Sequence, residues 1–411
     1  MAKQKIYNDP VYGFVPIPYG IINQLIDHPY FQRLRRIKQL GLTHYVYPGA
    51  LHTRFHHALG AMHLMHQTIE SLRAKGVNIT HEEAEAVCIA ILLHDIGHGP
   101  FSHALEHSIV NNINHETISL RTMQALDVAM NGRLQLAIEI FENKYSKKFL
   151  HQLVSSQLDM DRLDYLNRDS FFTGVSEGVI SSDRIIKMLH VHNDTLVVEE
   201  KGIYSIEKFI IARRLMYWQV YLHKTVLAAE NLLMNILKRA KELSEKKEQL
   251  FATPALQFFL HNDISDNDFI NNPLVLQHFS SLDDYDIFTS IKVWQSHPDF
   301  VLSRLCSNLI NRNLYKIKLQ KTPFENAEVE TYKSAANKLY GSKNADINYF
   351  VFTGSEENSA YQANDEQILI LYKNNTLLDI ANASDNLNIS VLSKPIVKHF
   401  LCVEREIWSN F

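Results

Sequence analysis

The sequence predicts a mainly α-helical protein with a smaller C-terminal region of mixed α and β structure. Apolar residues recur at three- and four-residue steps through most of residues 1–245, as they do on the buried face of a helix. Further along, residues 348–353 and 368–372 are rich in aromatic and β-branched side chains, which is typical of strands. We therefore expect a helical core with an N-terminal arm over residues 1–245, and a helical and α+β region over residues 246–411.

Turn-forming residues separate the arm from the first helices. Residues 1–20 are rich in Pro, Gly and Tyr and predict an irregular or short β arm. A helical pattern begins at Ile21, and Gly41 is suited to its C-cap. Thr80 is an N-cap residue for a nearly all-apolar helix over residues 84–93. The same periodicity predicts further helices near residues 55–73, 115–130, 133–142, 147–170, 181–190 and 205–245.

Strand signals are fewer. A short hairpin is expected near residues 194–204, where an apolar run is followed by Lys201-Gly202. Residues 250–320 predict short helices broken by Asp, Asn and Pro. Lys373-Asn374-Asn375 offers a hairpin turn before a last apolar run at residues 377–380.

The bulk composition argues against several classes of function. The chain has 411 residues, 46% of them apolar, and a net charge of −4, so no long-range attraction to nucleic acid or to an anionic membrane is expected. Cys88, Cys306 and Cys402 lack CxxC spacing, which argues against a disulfide framework or a cysteine zinc site. We see no signal peptide and no apolar run of about 18 residues, so we expect a cytoplasmic protein.

The strongest local motif is His94-Asp95, which closes an apolar helix and is followed by Gly97 and Gly99. Burying an imidazole beside a carboxylate is costly unless something compensates them, and a metal ion binds both directly. The glycines let the backbone come close to a neighbour. A single pair of this kind is more often a helix-end hydrogen bond, so the metal hypothesis depends on other residues.

Further histidines and aspartates strengthen that hypothesis. His57 lies upstream at the start of a helix, and more histidines crowd the segment after Gly99. The chain is rich in this residue type, with 21 histidines in all, and histidine is a common metal ligand and proton carrier near neutral pH.

Several acids fall in one helical stretch downstream. Asp161, Tyr165 and Asp169 are spaced i, i+4, i+8 and share a helix face. Asp164 and Arg168 form an i, i+4 pair on another face, and we expect that pair to be simple surface support. A later helix carries a similar polar and aromatic stripe of Arg213, Tyr217, Tyr221 and Lys224.

This ordered set of motifs resembles the HD-domain metallophosphohydrolases, and most closely their deoxynucleoside triphosphate triphosphohydrolase branch. The similar strings cover roughly residues 5–225. They are Asn8-Asp9-Pro10, Phe31-Gln32-Arg33-Leu34-Arg35, Ile37-Lys38-Gln39-Leu40-Gly41, Pro48-Gly49-Ala50, His94-Asp95 through His103, His115-Glu116, Asp161 through Asp169, and His223-Lys224. The resemblance implies that the helical core is an HD domain.

The resemblance implies a metal ion held by His57, His94, Asp95 and Asp161. Two imidazoles and two carboxylates suit Fe, Mn, Zn, Ni or Co, and the sequence does not choose among them. Magnesium stays open as a second ion. A cation of this kind acidifies water and polarises a phosphoryl oxygen, which is the minimum that phosphoester hydrolysis needs.

The resemblance also implies attack of water on the α-phosphorus of a deoxynucleoside triphosphate (dNTP), giving a deoxynucleoside and tripolyphosphate. His103, supported by Glu106, would be the general acid, and His98 and His115 would bind phosphate oxygens. The implied substrate-binding residues are Gln39, Leu40, Arg54, Arg162, Tyr165, Asp169, Arg213, Tyr217 and Tyr221.

Each kind of side chain in that substrate set has an implied task. The three arginines would meet the triphosphate, because a guanidinium donates two hydrogen bonds to one phosphate. Tyr165 would exclude a 2′-hydroxyl, and Gln39 and Asp169 would bind the 3′-hydroxyl. Tyr217 stands where that family has a histidine.

A regulatory nucleotide site between subunits is implied at Lys5, Asp27, Gln32 and Arg35. Asp27 would accept from a guanine edge, and Lys5 and Arg35 would meet phosphates. The alternative is that Asp27 caps a helix before Pro29 and that Arg35 is an ordinary surface residue. If the site exists, the protein forms a homodimer or homotetramer and is activated by GTP or dGTP.

Three other functional interpretations of the sequence stay open. The first is a nucleotidase or phosphodiesterase that acts on another phosphoester. The second is a non-catalytic scaffold that senses nucleotides, although such a protein has no need of His98 and His103. The third is nucleic-acid binding, which only local basic clusters such as residues 33–38 support.

Overall fold

The computed structural model describes residues 5–101, 105, 108, 114–343, 345–359, 361, 367–385 and 395–410. Helices make up most of it, so the expected mainly α fold is confirmed. The helices are α1 (Gly20–Asp27), α2 (Pro29–Gln32), α3 (Arg54–Ala74), α4 (His81–Leu93), α5 (His115–Ala129), α6 (Gln135–Phe141), α7 (Lys148–Val154), α8 (Met160–Thr173), α9 (Ser182–Met188), α10 (Ile203–Met216), α11 (Lys224–Glu245), α12 (Pro254–His261), α13 (Asp266–Asn271), α14 (Pro273–Ser281), α15 (Asp284–Trp294), α16 (Phe300–Ile310), α17 (Asn326–Tyr340), α18 (Ile380–Ala383) and α19 (Arg405–Ser409).

The strands form three small sheets. They are β1 (Ile6–Asp9), β2 (Gly13–Pro16), β3 (Leu189–His192), β4 (Thr195–Glu199), β5 (Lys316–Gln320), β6 (Val351–Asn358), β7 (Leu369–Leu371), β8 (Leu377–Asp379) and β9 (Ile396–Val403). β1 and β2 form an antiparallel hairpin, and β5, β9 and β6 form an antiparallel sheet in that order. In the third sheet, β3-β4-β7-β8, β7 runs parallel to β4 while the outer pairs are antiparallel.

The continuous helical pattern expected from Ile21 to Gly41 was wrong. The chain forms α1, then α2, then a single 3₁₀ turn over Arg33–Arg36. The break falls at His28, whose ψ of 140° is extended, because a residue before proline avoids the α conformation. Gly41 lies beyond these helices, in the left-handed region with φ of 47°.

Two long predicted helices are each divided. The one near residues 147–170 is α7 followed by α8, because Asp159 caps α8 by accepting from the backbone N–H of Arg162 at 2.7 Å. The one near residues 205–245 is α10, a π-helical turn over Tyr217–Tyr221, and α11. His223 starts α11 by accepting from the N–H of Thr225 at 3.2 Å. Apolar periodicity does not reveal these interruptions, since it continues across them.

The hairpin expected near residues 194–204 lies earlier in the chain. Its turn is Asn193-Asp194, both with positive φ, and it joins β3 to β4. Lys201-Gly202 belongs to a 3₁₀ turn instead. Asn and Asp tolerate the left-handed conformation that a two-residue hairpin turn requires. The turn therefore forms at Asn193-Asp194.

Among the residues that the structure describes, two hydrophobic clusters form the core, and each contains residues from both sides of position 245. The first is built from α1 to α10 and also takes in Ile368, Ile370 and Ile380. The second joins α11 to the helices and strands that follow it. The division into residues 1–245 and 246–411 therefore stays a prediction about folding units. Within the described part of the chain, no helix has both the length and the apolar character that crossing a membrane requires.

Candidate functional site

The candidate metal centre lies where α3, α4 and α8 meet. α3 contributes His57, His94 is the C-cap of α4, and Asp161 is in the first turn of α8. One ligand atom from each of these three residues lies within 4.8 Å of the others. The start of α4 is fixed by a capping box, in which Thr80 and Glu83 exchange hydrogen bonds.

The two imidazoles are held by their Nδ1 atoms. His57 Nδ1 is 2.7 Å from Asp164 Oδ2, and His94 Nδ1 is 2.6 Å from the carbonyl oxygen of Ile91. A carbonyl oxygen only accepts, so the proton of neutral His94 is on Nδ1 and the Nε2 lone pair is left for another partner. Metal-binding histidines commonly have this arrangement.

The Nε2 atoms face Asp161. The oxygen Asp161 Oδ1 is 3.1 Å from His57 Nε2 and 3.5 Å from His94 Nε2. Both nitrogens are buried, and neither has hydrogen-bond geometry to any group among the described residues. Two imidazole nitrogens and a carboxylate that converge in this way are a suitable donor set for a divalent transition metal.

The carboxylate of Asp164 lies behind His57, in the interior of the protein. Our expectation that Asp164 and Arg168 form a surface pair was wrong, because both side chains are fully buried. Arg168 donates to both Asp164 oxygens at 2.9 Å and to Asp9 Oδ2 at 2.7 Å. Gly60 makes room for the pair, since a Cβ there would overlap both side chains.

Asp95 connects the metal cluster to a second histidine group. Its Oδ1 is 3.3 Å from His94 Nε2 and 3.2 Å from His98 Nε2, and its Oδ2 is 3.7 Å from His57 Nε2 and also bonds Arg54. Asp95, His98 and His115 together form another group of ligand-type atoms. Of the four predicted metal ligands, Asp95 therefore belongs to the second group and lies next to the first.

The imidazoles of His98 and His115 are stacked, with ring centroids 3.8 Å apart and planes 15° apart. Gly97 allows this approach, because its backbone packs on the first turn of α5 and its N–H donates to Ser119 Oγ at 2.9 Å. The predicted general acid His103 and its supporting residue Glu106 lie outside the described residues.

The pKa values reflect the density of charge in the site. Burial would lower the pKa of His57, but the carboxylates of Asp161 and Asp164 outweigh it and raise the value to about 10. Burial would raise the pKa of Asp161, and the two histidines instead hold it well below its usual range. Burial, helped by the charge of Arg54, lowers the pKa of His98 to about 3. His98 is therefore neutral at neutral pH.

A cavity of about 480 Å³ adjoins the centre through Arg54. Its wall includes five of the predicted substrate residues: Gln39, Leu40, Arg54, Tyr217 and Tyr221. The rings of Tyr217 and Tyr221 meet edge to face at 5.2 Å. The amide oxygen of Gln39 is buried and has no hydrogen-bond partner among the described residues.

The other predicted substrate residues do not line this cavity, but two of them contact Tyr221 of its wall. Asp169 accepts from the hydroxyl of Tyr221 at 2.7 Å, and Tyr165 meets the Tyr221 ring edge to face at 6.2 Å. Arg162 forms an ion pair with Asp159, and this carboxylate compensates the positive charge of the arginine. Burial raises the pKa of the Tyr165 hydroxyl, and the positive charge of Arg213 opposes this rise, so Arg213 lies near Tyr165.

Comparison with known proteins identifies the family. The HD domain matches residues 54–168 and the HD-associated region matches residues 180–258. YwfO, an uncharacterized protein of Bacillus subtilis, is 33% identical over 368 residues, which are 88% of this chain and 82% of YwfO. The crystal structure of a phosphohydrolase from Bacteroides thetaiotaomicron has a TM-score of 0.94 and 55% identity, over 98% of this chain and 100% of that one.

The chain belongs to the HD-domain phosphohydrolases. HD domains bind divalent metals, and the cluster of His57, His94 and Asp161 lies inside the matched range. A deoxynucleoside triphosphate triphosphohydrolase SAMHD1 homolog of Dictyostelium discoideum is 31% identical over 267 residues, 60% of this chain and 52% of that protein. The resemblance to this branch is thus confirmed at the level of the family.

In this HD-domain phosphohydrolase the four predicted regulatory residues are neighbours. Lys5 pairs with Asp27 at 2.8 Å, Gln32 donates to the carbonyl oxygen of Ile26 at 2.7 Å, and Arg35 donates to Gln32 Oε1 at 2.9 Å. His28, not Asp27, provides the N-cap of α2. Lys5 and Asp27 are exposed, so the cluster is at the surface.

Sequence reasoning missed some residues that organise the phosphohydrolase site. His52 Nε2 is 2.7 Å from Asp169 Oδ1, and its ring stacks on Phe172 at 4.5 Å. Arg33, buried at 1% exposure, donates to the carbonyl oxygen of His98 at 2.8 Å. His52 immediately precedes the Thr53-Arg54 start of α3, which is a weak local signal. Arg33 lies in a basic stretch and in one of the strings that resemble the family, but neither signal indicates that its side chain is buried.

Proposed function

We propose that this HD-domain phosphohydrolase hydrolyses dNTPs to a deoxynucleoside and tripolyphosphate. The observation that carries the proposal is the convergence of His57, His94 and Asp161, with both Nδ1 atoms held from behind, beside a cavity of about 480 Å³. Relatives named as dNTP triphosphohydrolases, including SAMHD1 of Danio rerio at 26% identity, support a nucleotide as substrate.

The residues present fit a divalent cation. His57, His94 and Asp161 would hold it, and Asp95, whose Oδ1 is 3.3 Å from His94 Nε2, would complete the set. A bound cation would supply Lewis acidity toward a phosphoryl oxygen and a lowered pKa of water. The mixed nitrogen and oxygen donors are compatible with Fe, Mn, Zn, Ni or Co.

The reaction requires attack of water on the α-phosphorus and rupture of the bond between that phosphorus and O5′. The water oxygen stays in tripolyphosphate, and O5′ takes up a proton to give the deoxynucleoside. Neutral His98 and its stacked partner His115 would donate hydrogen bonds to phosphate oxygens, and His103 with Glu106 would deliver the proton to O5′.

The chain's cations and aromatic groups would orient the substrate. Arg54, next to both the metal cluster and the cavity, would bind the phosphates, with Arg162 and Arg213 as further cations. The Gln39 amide oxygen would accept from the 3′-hydroxyl, and Asp169, which accepts from Tyr221 of the same cavity wall, would also bind it. Tyr165 would close the space at the 2′-position.

The exposed group of Lys5, Asp27, Gln32 and Arg35 would bind GTP or dGTP between subunits of a homodimer or homotetramer. The proximity of these four residues supports that part of the proposal. Mass measurement in solution with and without GTP tests it, and an unchanged monomer in both conditions would contradict it.

The test of the catalytic proposal is product analysis. Metal-loaded protein is incubated with each dNTP, with and without GTP, and the products are separated by chromatography. We expect a deoxynucleoside and tripolyphosphate. A monophosphate with pyrophosphate would reject the cleavage site, and release of inorganic phosphate alone would favour a nucleotidase.

Variants of the proposed ligands provide the matched control. His94→Ala and Asp161→Ala should lose bound metal, measured by elemental analysis, together with turnover. His261→Ala, which removes an exposed histidine at the end of α12, should change neither. Full metal content in the first two variants would refute the ligand assignment.

A further inference from the structure

One part of the cavity wall is rich in carboxyl groups that the proposed hydrolysis does not use. Glu230 and Asn231 reach it from α11, and Glu356 and Glu357 reach it from β6. The cationic residues of the same wall form ion pairs with carboxylates outside it. Lys38 pairs with Asp284 at 3.2 Å, and Arg54 pairs with Asp95. The cavity thus combines acceptors from α11 and β6 with an arginine that adjoins the metal cluster.

Glu230 is the central residue of this cluster of carboxyl groups. Burial and then the charge of Glu356 raise the pKa of Glu230 to about 8. No ion pair to Glu230 is found in the part of the chain that the structure describes. At neutral pH the Glu230 carboxyl therefore keeps its proton most of the time, which gives the wall one donor beside its carboxylate acceptors.

A second observation in the same cavity indicates a ligand with hydrogen-bond donors. The amide oxygen of Gln39 is buried without a partner among the described residues, and a buried acceptor is expected to be satisfied. Asn231 is 8% exposed and donates its amide N–H to the carbonyl oxygen of Leu227 at 2.9 Å. This bond leaves the Asn231 amide oxygen as an acceptor.

We infer that this cavity selects guanine, whose Watson–Crick edge is bound by Glu230 and Glu356. Guanine presents two adjacent donors, N1–H and the N2 amino group, beside the acceptor O6. A carboxylate can accept from both donors while a protonated carboxyl donates to O6. Adenine and cytosine each present one amino donor beside an acceptor, and thymine presents a single N–H between two acceptors.

The carboxyl groups also set the direction in which a nucleotide enters. A triphosphate is repelled by Glu356 and Glu357 and attracted by Arg54, so the base faces the carboxyl groups and the phosphates face the metal cluster. This inference rests on the proposed function, because that function places a nucleoside in the cavity.

Nucleoside binding tests the inference without any need for turnover. The full-length protein is titrated with deoxyguanosine, deoxyinosine and deoxyadenosine, and each dissociation constant is measured by calorimetry. Deoxyinosine is the informative comparison, because it lacks only the N2 amino group. We expect deoxyguanosine to bind about tenfold or more tightly than either of the others, as loss of a hydrogen bond to a charged group implies.

Two variants in the wall and one control sharpen the result. Glu356→Gln should bring the constants for deoxyguanosine and deoxyinosine within about twofold of each other, because it removes the charged acceptor for the N2 amino group. Glu230→Leu, which removes the donor to O6, should weaken the binding of both nucleosides to a similar extent. Glu245→Gln, at the exposed end of the same helix α11, should keep the wild-type ratio. Equal affinity for the three nucleosides in the wild type would overturn the inference, and so would an unchanged ratio in Glu356→Gln.

The outcomes separate this inference from the proposed function. If dNTPs are hydrolysed to tripolyphosphate but all bases bind equally, only the guanine assignment fails. If deoxyguanosine is preferred but no dNTP is hydrolysed, the cavity assignment stands and the proposed reaction fails.

Discussion

The ring of His57 is held by a chain of buried charges that ends in the N-terminal arm. Asp164 contacts its Nδ1, Arg168 binds Asp164 through two nitrogens, and Asp9 accepts from Arg168. Each charge is compensated by the next, so the chain can be buried without an unpaired ion. Its effect is to fix the orientation of the His57 ring, so that Nε2 faces Asp161.

We expect Asp164→Asn to weaken metal binding by roughly 10- to 100-fold, which is the usual effect of removing a carboxylate behind a metal-binding histidine. The amide keeps the size of the side chain but provides a neutral partner for His57 and Arg168. Metal titration of the apoprotein measures the effect, and Asp183→Asn, an exposed change on α9, is the control. Wild-type affinity in Asp164→Asn would show that His57 does not need this partner.

Gly60 provides a second test of the same charge chain. Its missing Cβ is the space that the Asp164 and Arg168 side chains occupy, so Gly60→Ala must displace one of them. We expect a lower melting temperature together with weaker metal binding. Gly20→Ala is the matched control, because a Cβ there meets nothing within 4 Å. Equal melting temperatures for the two variants would contradict the packing described here.

At the scale of single elements, polar side chains at helix ends decide where the helices stop and start. Asp159 caps α8 and thereby places Asp161 in its first turn, facing the two histidines. Asp299 caps α16 by accepting from the N–H of Leu302 at 2.8 Å, and it also pairs with Arg239 of α11. Asp299 thus joins two helices of the second hydrophobic cluster.

The Asp299 pair predicts a pH-dependent contribution to stability. Burial would raise the pKa of Asp299, but hydrogen bonds from Arg239 outweigh it and lower the value below its usual range. A lowered pKa stabilises the folded state above the unfolded pKa of about 3.9, and this contribution is lost as pH falls through the folded value. Asp299→Asn keeps a capping oxygen but loses the ion pair.

We therefore expect Asp299→Asn to cost about 1 kcal/mol at pH 7 and progressively less below about pH 4. Urea unfolding of both proteins across this range measures the difference. Asp266→Asn, an exposed position in the first turn of α13, should show no such trend. A cost for Asp299→Asn that stays constant from pH 7 to pH 3 would assign the effect to the cap alone.

At the scale of the whole molecule, Arg33 connects the C-terminal region to the active site. Its guanidinium donates to the carbonyl oxygens of Leu282 at 2.8 Å, of His98 at 2.8 Å and of Ile96 at 3.3 Å. It also lies over the ring of Phe279, 4.6 Å from the centroid. The backbone that carries His98 is therefore held through one buried side chain by residues beyond position 245.

We expect Arg33→Lys to lower both stability and the turnover number. A lysine keeps the charge, but its single nitrogen cannot reach carbonyl groups on both sides, and a buried unsatisfied polar group costs about 1–3 kcal/mol. Thermal unfolding and steady-state kinetics measure the two effects. Arg36→Lys is the control, since Arg36 is 43% exposed and pairs with Asp283. If Arg33→Lys and Arg36→Lys lowered stability and turnover equally, this would contradict a specific role of Arg33 in holding the His98 backbone.

The sequence by itself determined the order and type of the chemical groups. His57, His94-Asp95 and Asp161 are each next to a local signal, such as a helix start, an apolar helix or an i, i+4 series, and the resemblance to the HD-domain family implied that they act together. Helical periodicity likewise predicted α3, α4 and α5 closely, since their packing faces continue without interruption. These features depend on residues that are close together in the chain.

Only the tertiary structure decided which faces are buried and which distant groups meet. The i, i+4 spacing of Asp164 and Arg168 is the same on a solvated face and a buried one, and Asp9, the residue that completes the pair, is 159 positions from Arg168. Glu230 and Glu356 share a cavity wall although they come from α11 and β6. The physical reason is that local spacing fixes the direction of a side chain on its own helix or strand, whereas burial and charge compensation depend on what the rest of the chain packs against it.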